Sequence, residues 1–168
     1  MTGVIKEVVA REILDSRGNP TIEVDLYVDN FVVRASVPSG VSTGKHEAVE
    51  LRDGGKRFLG KGVRNAINNI RRFIAPRLRG KDCTQQELID KMLINLDGTK
   101  NKSDLGANAI LGVSMAVCKA GAQVLGRRLF EHVVAMNKTR VIKMPKLFFN
   151  VIEGGAHAGN DMAIQECM

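Results

Sequence analysis

Ile22, Val24, Leu26 and Val28 alternate with Glu23, Asp25 and Tyr27, the two-residue period of a strand with one face in a core. Phe31, Val33, Ala35 and Val37 repeat the pattern after Asp29-Asn30, whose side chains suit a tight turn, so the two runs predict a hairpin. Val4 to Leu14 is a further β-rich run, ended by DSRGNP, where Asp, Gly, Asn and Pro punctuate as turns require. Then the period changes. Val63, Ala66, Ile67, Ile70 and Ile74 fall at helical spacing and predict a helix that stops ahead of Pro76. Thr84 with Glu87 reads as a capping box opening a helix whose apolar face is Leu88, Met92 and Leu96. Leu105 to Ala122, rich in Ala and Gly, predicts a buried, closely packed helix, and Leu129 to Met136 a short last one. Pro145 to Ile152 reads as a fresh apolar strand running into Glu153-Gly154-Gly155.

Strands first and helices after predict an α+β fold, a three-stranded antiparallel meander followed by about four helices on one face of it. With 168 residues and 44% hydrophobic positions, the chain has enough apolar material for a sizeable core. The longest uncharged apolar run, Leu105 to Cys118, falls short of the roughly 20 residues of a membrane helix. The amino terminus carries Glu7 and Glu12 and lacks a signal-like apolar block, so no membrane span and a cytoplasmic location are expected. Cys83, Cys118 and Cys167 are odd in number and far apart, which fits reduced thiols better than a disulfide or metal framework. The net charge of +7 collects around Arg71, Arg72, Arg77, Arg79 and Lys81, and from Arg127 and Arg128 to Lys138, Arg140, Lys143 and Lys146. Such faces favour anionic partners. One Tyr and no Trp leave little aromatic surface for stacking bases, which argues against nucleic acid.

The stretch PSGVSTGKHE, Pro38 to Glu47, invites a phosphate-loop reading and does not sustain it. Counting back from Gly44-Lys45 puts Ser39 where the first glycine of G-x-x-x-x-G-K-[ST] belongs, and His46 stands in place of the hydroxyl residue.

Four stretches together carry a resemblance: DSRGNPT (15–21), VPSGVSTGKHEAVELRD (37–53), LDGTKNKSDLGANAILGVSMA (96–116) and NVIEGGAHAGNDMAIQE (150–166). In this order the chain resembles the amino-terminal part of the enolase family. The resemblance implies a cap domain of three strands and four helices over residues 1–138, then residues 139–168 as the start of a barrel domain. Only the first strand of that α/β barrel and the following active-site loop would be present. It implies magnesium-dependent dehydration of 2-phosphoglycerate to phosphoenolpyruvate, with two Mg2+ per complete active site and most of their ligands outside this chain. Ser42 matches the loop serine that holds the second Mg2+, on a mobile loop formed by Gly40, Val41, Thr43 and Gly44. His157, Gln165 and Glu166 match substrate-binding residues, with Glu166 in a catalytic role beside the leaving hydroxyl. Arg11, Arg17 and Glu23 match contacts that pair two subunits, so a homodimer is implied.

Three positions depart from the family's pattern. Val41 stands for a smaller alanine, Glu153 for asparagine, and Cys167 for phenylalanine. The β-branched Val41 would stiffen a hinge, and Glu153 would bring negative charge toward an anionic substrate. Two readings stay open: the amino-terminal part of an enolase, inactive by itself, or a non-catalytic enolase-like module that binds a partner through its basic faces.

Overall fold

The computed structural model describes residues 2–40, 44–137 and 142–168. Strands β1 (Ile5–Leu14), β2 (Pro20–Val28) and β3 (Phe31–Ser36) form an antiparallel meander in the order β1-β2-β3. Ile22, Val24, Leu26 and Val28 are fully buried on the helix-facing side, as their alternation predicts. Asp29 takes a left-handed φ of 46° in the β2–β3 turn, a conformation that Asp and Asn tolerate better than most residues.

The helical half begins with α1 (Arg64–Asn69), continues through a π turn (Ile70–Ile74) and ends in α2 (Ala75–Leu78). Pro76 therefore does not stop the helix. The Ala75 N–H reaches back five residues to the Ile70 carbonyl, and this wider turn leads into a new helical start where a proline lacking its N–H is tolerated. Ile70, Ile74 and Leu78 all remain buried beneath β1. Asp53, well upstream in sequence, accepts the Arg64 and Asn65 N–H groups at 3.0 and 2.8 Å and so caps α1.

The helix α3 (Gln86–Asp97) starts one residue later than the Thr84 capping box predicts, with Gln85 in the N-cap position. Thr84 gives its hydroxyl to Asp82 Oδ1 at 2.8 Å, and its own N–H goes to the same oxygen. The apolar face also differs: Ile89 and Leu93 are buried, Met92 and Leu96 pack at its margin, and Leu88 is exposed.

The helix α4 (Ala107–Val124) lies across β2 and β3. A Cβ on Gly112 would sit 3.0 Å from Val37 and 3.1 Å from Val24, so the missing side chain is what lets helix and sheet approach so closely. By length and composition α4 could cross a membrane, alone among the described residues, but half of it is buried inside this fold. A short α5 (Leu129–Met136) packs on α4, placing His132 in a buried position against Gly121. Burial, and secondarily Arg127, hold the His132 pKa below its ordinary value.

The outer face of the sheet carries charge. Asp25, 2% exposed, accepts from Arg34 Nε and Nη2 at 2.7 and 2.9 Å and from Arg11. Arg34, with Arg11 assisting, lowers the Asp25 pKa to about 2 against the cost of burial. Glu12 is likewise lowered to about 2 by Arg57, and it accepts the Val63 N–H at 3.0 Å, tying β1 to the start of the helical half.

Residues 142–151 have no regular structure and are exposed, so the run from Pro145 to Ile152 is not the long strand its composition predicts. Only β4 (Ile152–Glu153) pairs, with β5 (Glu166–Cys167). An apolar run becomes a strand only where a neighbouring strand takes its N–H and C=O groups, and among the described residues only Val151 of the stretch 145–151 finds one, donating to the Cys167 carbonyl at 2.9 Å.

Candidate functional site

The β4–β5 ribbon folds back on itself at two glycines. The Gly154 N–H donates to the Gln165 carbonyl at 2.8 Å and the Gly155 N–H to the Met162 carbonyl at 3.0 Å. Gly154 passes so close to the returning chain that a Cβ there would lie 2.5 Å from the Ile164 carbonyl oxygen. Gly155, at φ +60°, then turns the chain into a single 3-10 turn, Gly155–His157. Asn160 closes the far side, donating to the Glu153 carbonyl at 3.0 Å.

The turn aims His157 back over the ribbon. Its Nδ1 lies 3.2 Å from Glu166 Oε1 and 3.6 Å from Glu153 Oε1, and Gln165 Nε2 sits 3.5 Å from the other ring nitrogen. The three residues that the motif predicts together, His157, Gln165 and Glu166, are thus brought together. Glu153 joins them. The sequence marks it only as a departure, yet it stands directly opposite Glu166 in the ribbon register. An imidazole between two carboxylates can donate to an anion or exchange a proton with one, while the half-open setting leaves room for a ligand.

A second cluster lies at the β1–β2 turn. Arg17 Nη2 donates to the Ser39 carbonyl and hydroxyl oxygens, both at 3.1 Å, and to the Gly40 carbonyl at 3.2 Å. Asp15 accepts the Ser39 hydroxyl at 2.7 Å. That bond first, and the Asn19 N–H next, hold the Asp15 pKa down to about 2. The turn thus grips the chain just before position 41. Beside it lies a cleft of about 370 Å³ lined by Pro38, Ser39, Gly40, Glu47, Glu50 and Asn108, among others. Val41, Ser42 and Thr43 lie outside the described residues; Gly40 and Gly44 border them.

Arg11 and Glu23 are cross-strand partners in register, joined at 2.7 Å on the sheet's outer face. Arg11, Arg17 and Glu23 are all engaged within the chain. Asp25, which organises Arg11 and Arg34, gave no sign beyond its place in an alternating strand, since a buried aspartate and a solvated one look alike in sequence.

The family model for the enolase N-terminal domain matches residues 5–133, most of the chain. The chain belongs to the enolase N-terminal domain family. Curated enolases agree. That of Thermococcus gammatolerans is 58% identical over 164 residues, covering 98% of this chain and 37% of its own length. That of Thermococcus kodakarensis is 56% identical over 164 residues with the same coverage. The enolase of Mastigamoeba balamuthi is 53% identical over 165 residues, 98% of this chain and 38% of its own. The chain therefore spans a little over a third of the length of these enolases. The family model covers the three strands and the helical runs into α5; the ribbon with His157 and Glu166 lies beyond it and is reached by the full-chain matches.

Proposed function

We propose that this chain serves in the reversible dehydration of 2-phosphoglycerate to phosphoenolpyruvate, supplying the cap and the first active-site ribbon of an enolase whose remaining residues lie outside it. The observation that carries the reading is the convergence of His157, Gln165 and Glu166, at 3.2 and 3.5 Å, in a member of this family. In this reading residues 1–138 form the cap and 139–168 begin the barrel domain. His157 donates a hydrogen bond to the substrate's anionic phosphoryl group. Glu166 sits beside the leaving hydroxyl and hands it a proton as the carbon–oxygen bond breaks, with Gln165 orienting the same end of the substrate.

Two Mg2+ would neutralise the negative charge that builds on the substrate's carboxylate when its neighbouring carbon loses a proton. Within this chain only Ser42 is assigned to them, as a hard oxygen donor of the kind Mg2+ takes; the imidazole of the ribbon is not such a ligand. Gly40, Val41, Thr43 and Gly44 would carry Ser42 to the site, and the grip of Arg17 on Ser39 and Gly40 would fix where that segment starts. Arg11, Arg17 and Glu23 would contribute to pairing of two subunits in the cytoplasm, at the cost of loosening bonds they make at home.

The test is phosphoenolpyruvate formation, followed by its ultraviolet absorbance, in the complete protein containing this segment. His157→Ala and Glu166→Gln should each lower kcat by at least about 10²-fold, the size of a lost acid–base group. Ser42→Ala should raise the Mg2+ concentration needed for half-maximal rate. Full activity in all three variants would sink the assignment, and the chain would then be read as a binding module. The groove lined by Lys6, Arg71 and Arg79 is the face such a module would offer an anionic partner.

A further inference from the structure

Glu153 and Glu166 are directly opposed across the ribbon, and like charges in that relation destabilise a strand pair unless positive charge lies between them. What lies between them is one nitrogen, His157 Nδ1, at 3.6 and 3.2 Å from a carboxylate oxygen of each. A single N–H can satisfy one carboxylate well, so the proton it carries leaves the other glutamate facing like charge. A divalent ion at the same point satisfies both. The spacing fits one. Bonds of about 2.0–2.2 Å to nitrogen and oxygen in a tetrahedron give ligand-to-ligand edges of about 3.3–3.6 Å. The two imidazole-to-carboxylate separations fall close to that edge, and one ligand atom from each of the three residues lies within 4.8 Å of the others.

We propose that Glu153, His157 and Glu166 form a site for a borderline divalent transition metal such as Zn2+, with His157 Nδ1 and one oxygen of each carboxylate as protein ligands and water completing the shell. The mixed nitrogen and oxygen set selects Zn2+ or Co2+ over Mg2+, which prefers six oxygens. Binding exchanges the ring proton at Nδ1 for the metal, with the proton released to solvent. The site stands on these three side chains alone and does not need the dehydration reading. If both hold, metal and substrate compete for His157 and Glu166, and the metal is an inhibitor.

Co2+ is the probe, added to the full 168-residue chain. One equivalent should give visible ligand-field bands of a four-coordinate ion, and Zn2+ should bleach them. Substoichiometric Co2+ should broaden the His157 ring resonances before those of His46 and His132. His157→Ala should abolish the bands, and Glu153→Asn, at an exposed position whose change leaves the fold to be checked by circular dichroism, should weaken binding by at least about tenfold. Cys167→Ser should change nothing. The proposal is overturned if no bands form, if they persist in His157→Ala, if His46 broadens first, or if a sulfur-to-cobalt absorption appears that Cys167→Ser removes. Enolase activity plays no part in any of these outcomes, so the site can fail while the proposed reaction stands, and the reverse.

Discussion

In residues 5–133 the sheet is held by side chains away from water: Ile22, Val24, Leu26 and Val28 on one face, and on the other Asp25 beneath two arginines. In residues 151–167 each strand is two residues long, Ile152 and Cys167 are exposed, and the shape comes from backbone hydrogen bonds and two glycines. Among the described residues, the hydrogen bonds of this second region are all internal to it. The first region spends its sequence on a fold and the second on bringing an imidazole to two carboxylates. A short ribbon of this kind has few apolar contacts to oppose local opening, so its geometry is set by the backbone and is sensitive to single atoms.

Leu26→Ala should give the largest effect and act on the first region alone. Removing a fully buried leucine side chain should cost about 2–5 kcal/mol, read as a lower denaturation midpoint, while Co2+ binding by the ribbon in the still-folded protein stays unchanged. Loss of both together would mean that the two regions are energetically one.

Gly154→Ala inverts the comparison. The added methyl meets the Ile164 carbonyl at 2.5 Å, so the ribbon must open and His157 must move from Glu166. A displacement of about 1 Å should cost the complete protein about 10²-fold in phosphoenolpyruvate formation, with the denaturation midpoint of the chain unmoved. An unaltered rate would show that the close approach relaxes at no expense to the site.

Acid titration should give the most graded effect, and it belongs to the first region. Folding lowers the carboxyl pKa of Glu12, Asp15 and Asp25 to about 2, so the stability they add is complete above about 4.5 and is lost as pH falls toward 2. His132 is lowered too, and its neutral ring is the form the fold accepts. Its contribution is therefore complete above the ordinary histidine pKa, about 6.5, and fades as pH falls below that. Urea midpoints should decline gently below about pH 6.5 and steeply below about pH 4. His132→Phe should flatten the gentle part; a decline that survives it belongs to another group.

The sheet was legible because its signal is local: a two-residue period and turn residues at the right places. The helices were legible as elements, less so in their faces and ends. Thr84 read as a cap because its spacing to Glu87 fits, but Asp82, two residues earlier, competes for the same hydroxyl, and the helix begins further on. Leu88, placed on the core face by the same pattern, is exposed. Pro145 to Ile152 failed for the opposite reason, since whether an apolar run pairs depends on a partner strand that no local pattern announces. At the site, the motif named His157, Gln165 and Glu166, and the structure set them side by side. Glu153 could not be placed that way: its relation to Glu166 spans 13 positions and depends on the register of a two-residue ribbon.

The π turn at Ile70–Ile74 bears on how this chain can change length. It holds one residue more than an α turn would, bulged on a stretch where Arg71, Arg72 and Phe73 are exposed. Deleting one of the three lets the segment tighten to ordinary helix while Ile70 and Leu78 keep their places under β1. The same deletion inside α4 would turn every later side chain by about 100° and carry Gly121 away from His132. A loss of one residue is thus absorbed within one helix and ruinous within the next, which makes 71–73 a point inside a helix where descendants of this sequence can shorten without refolding.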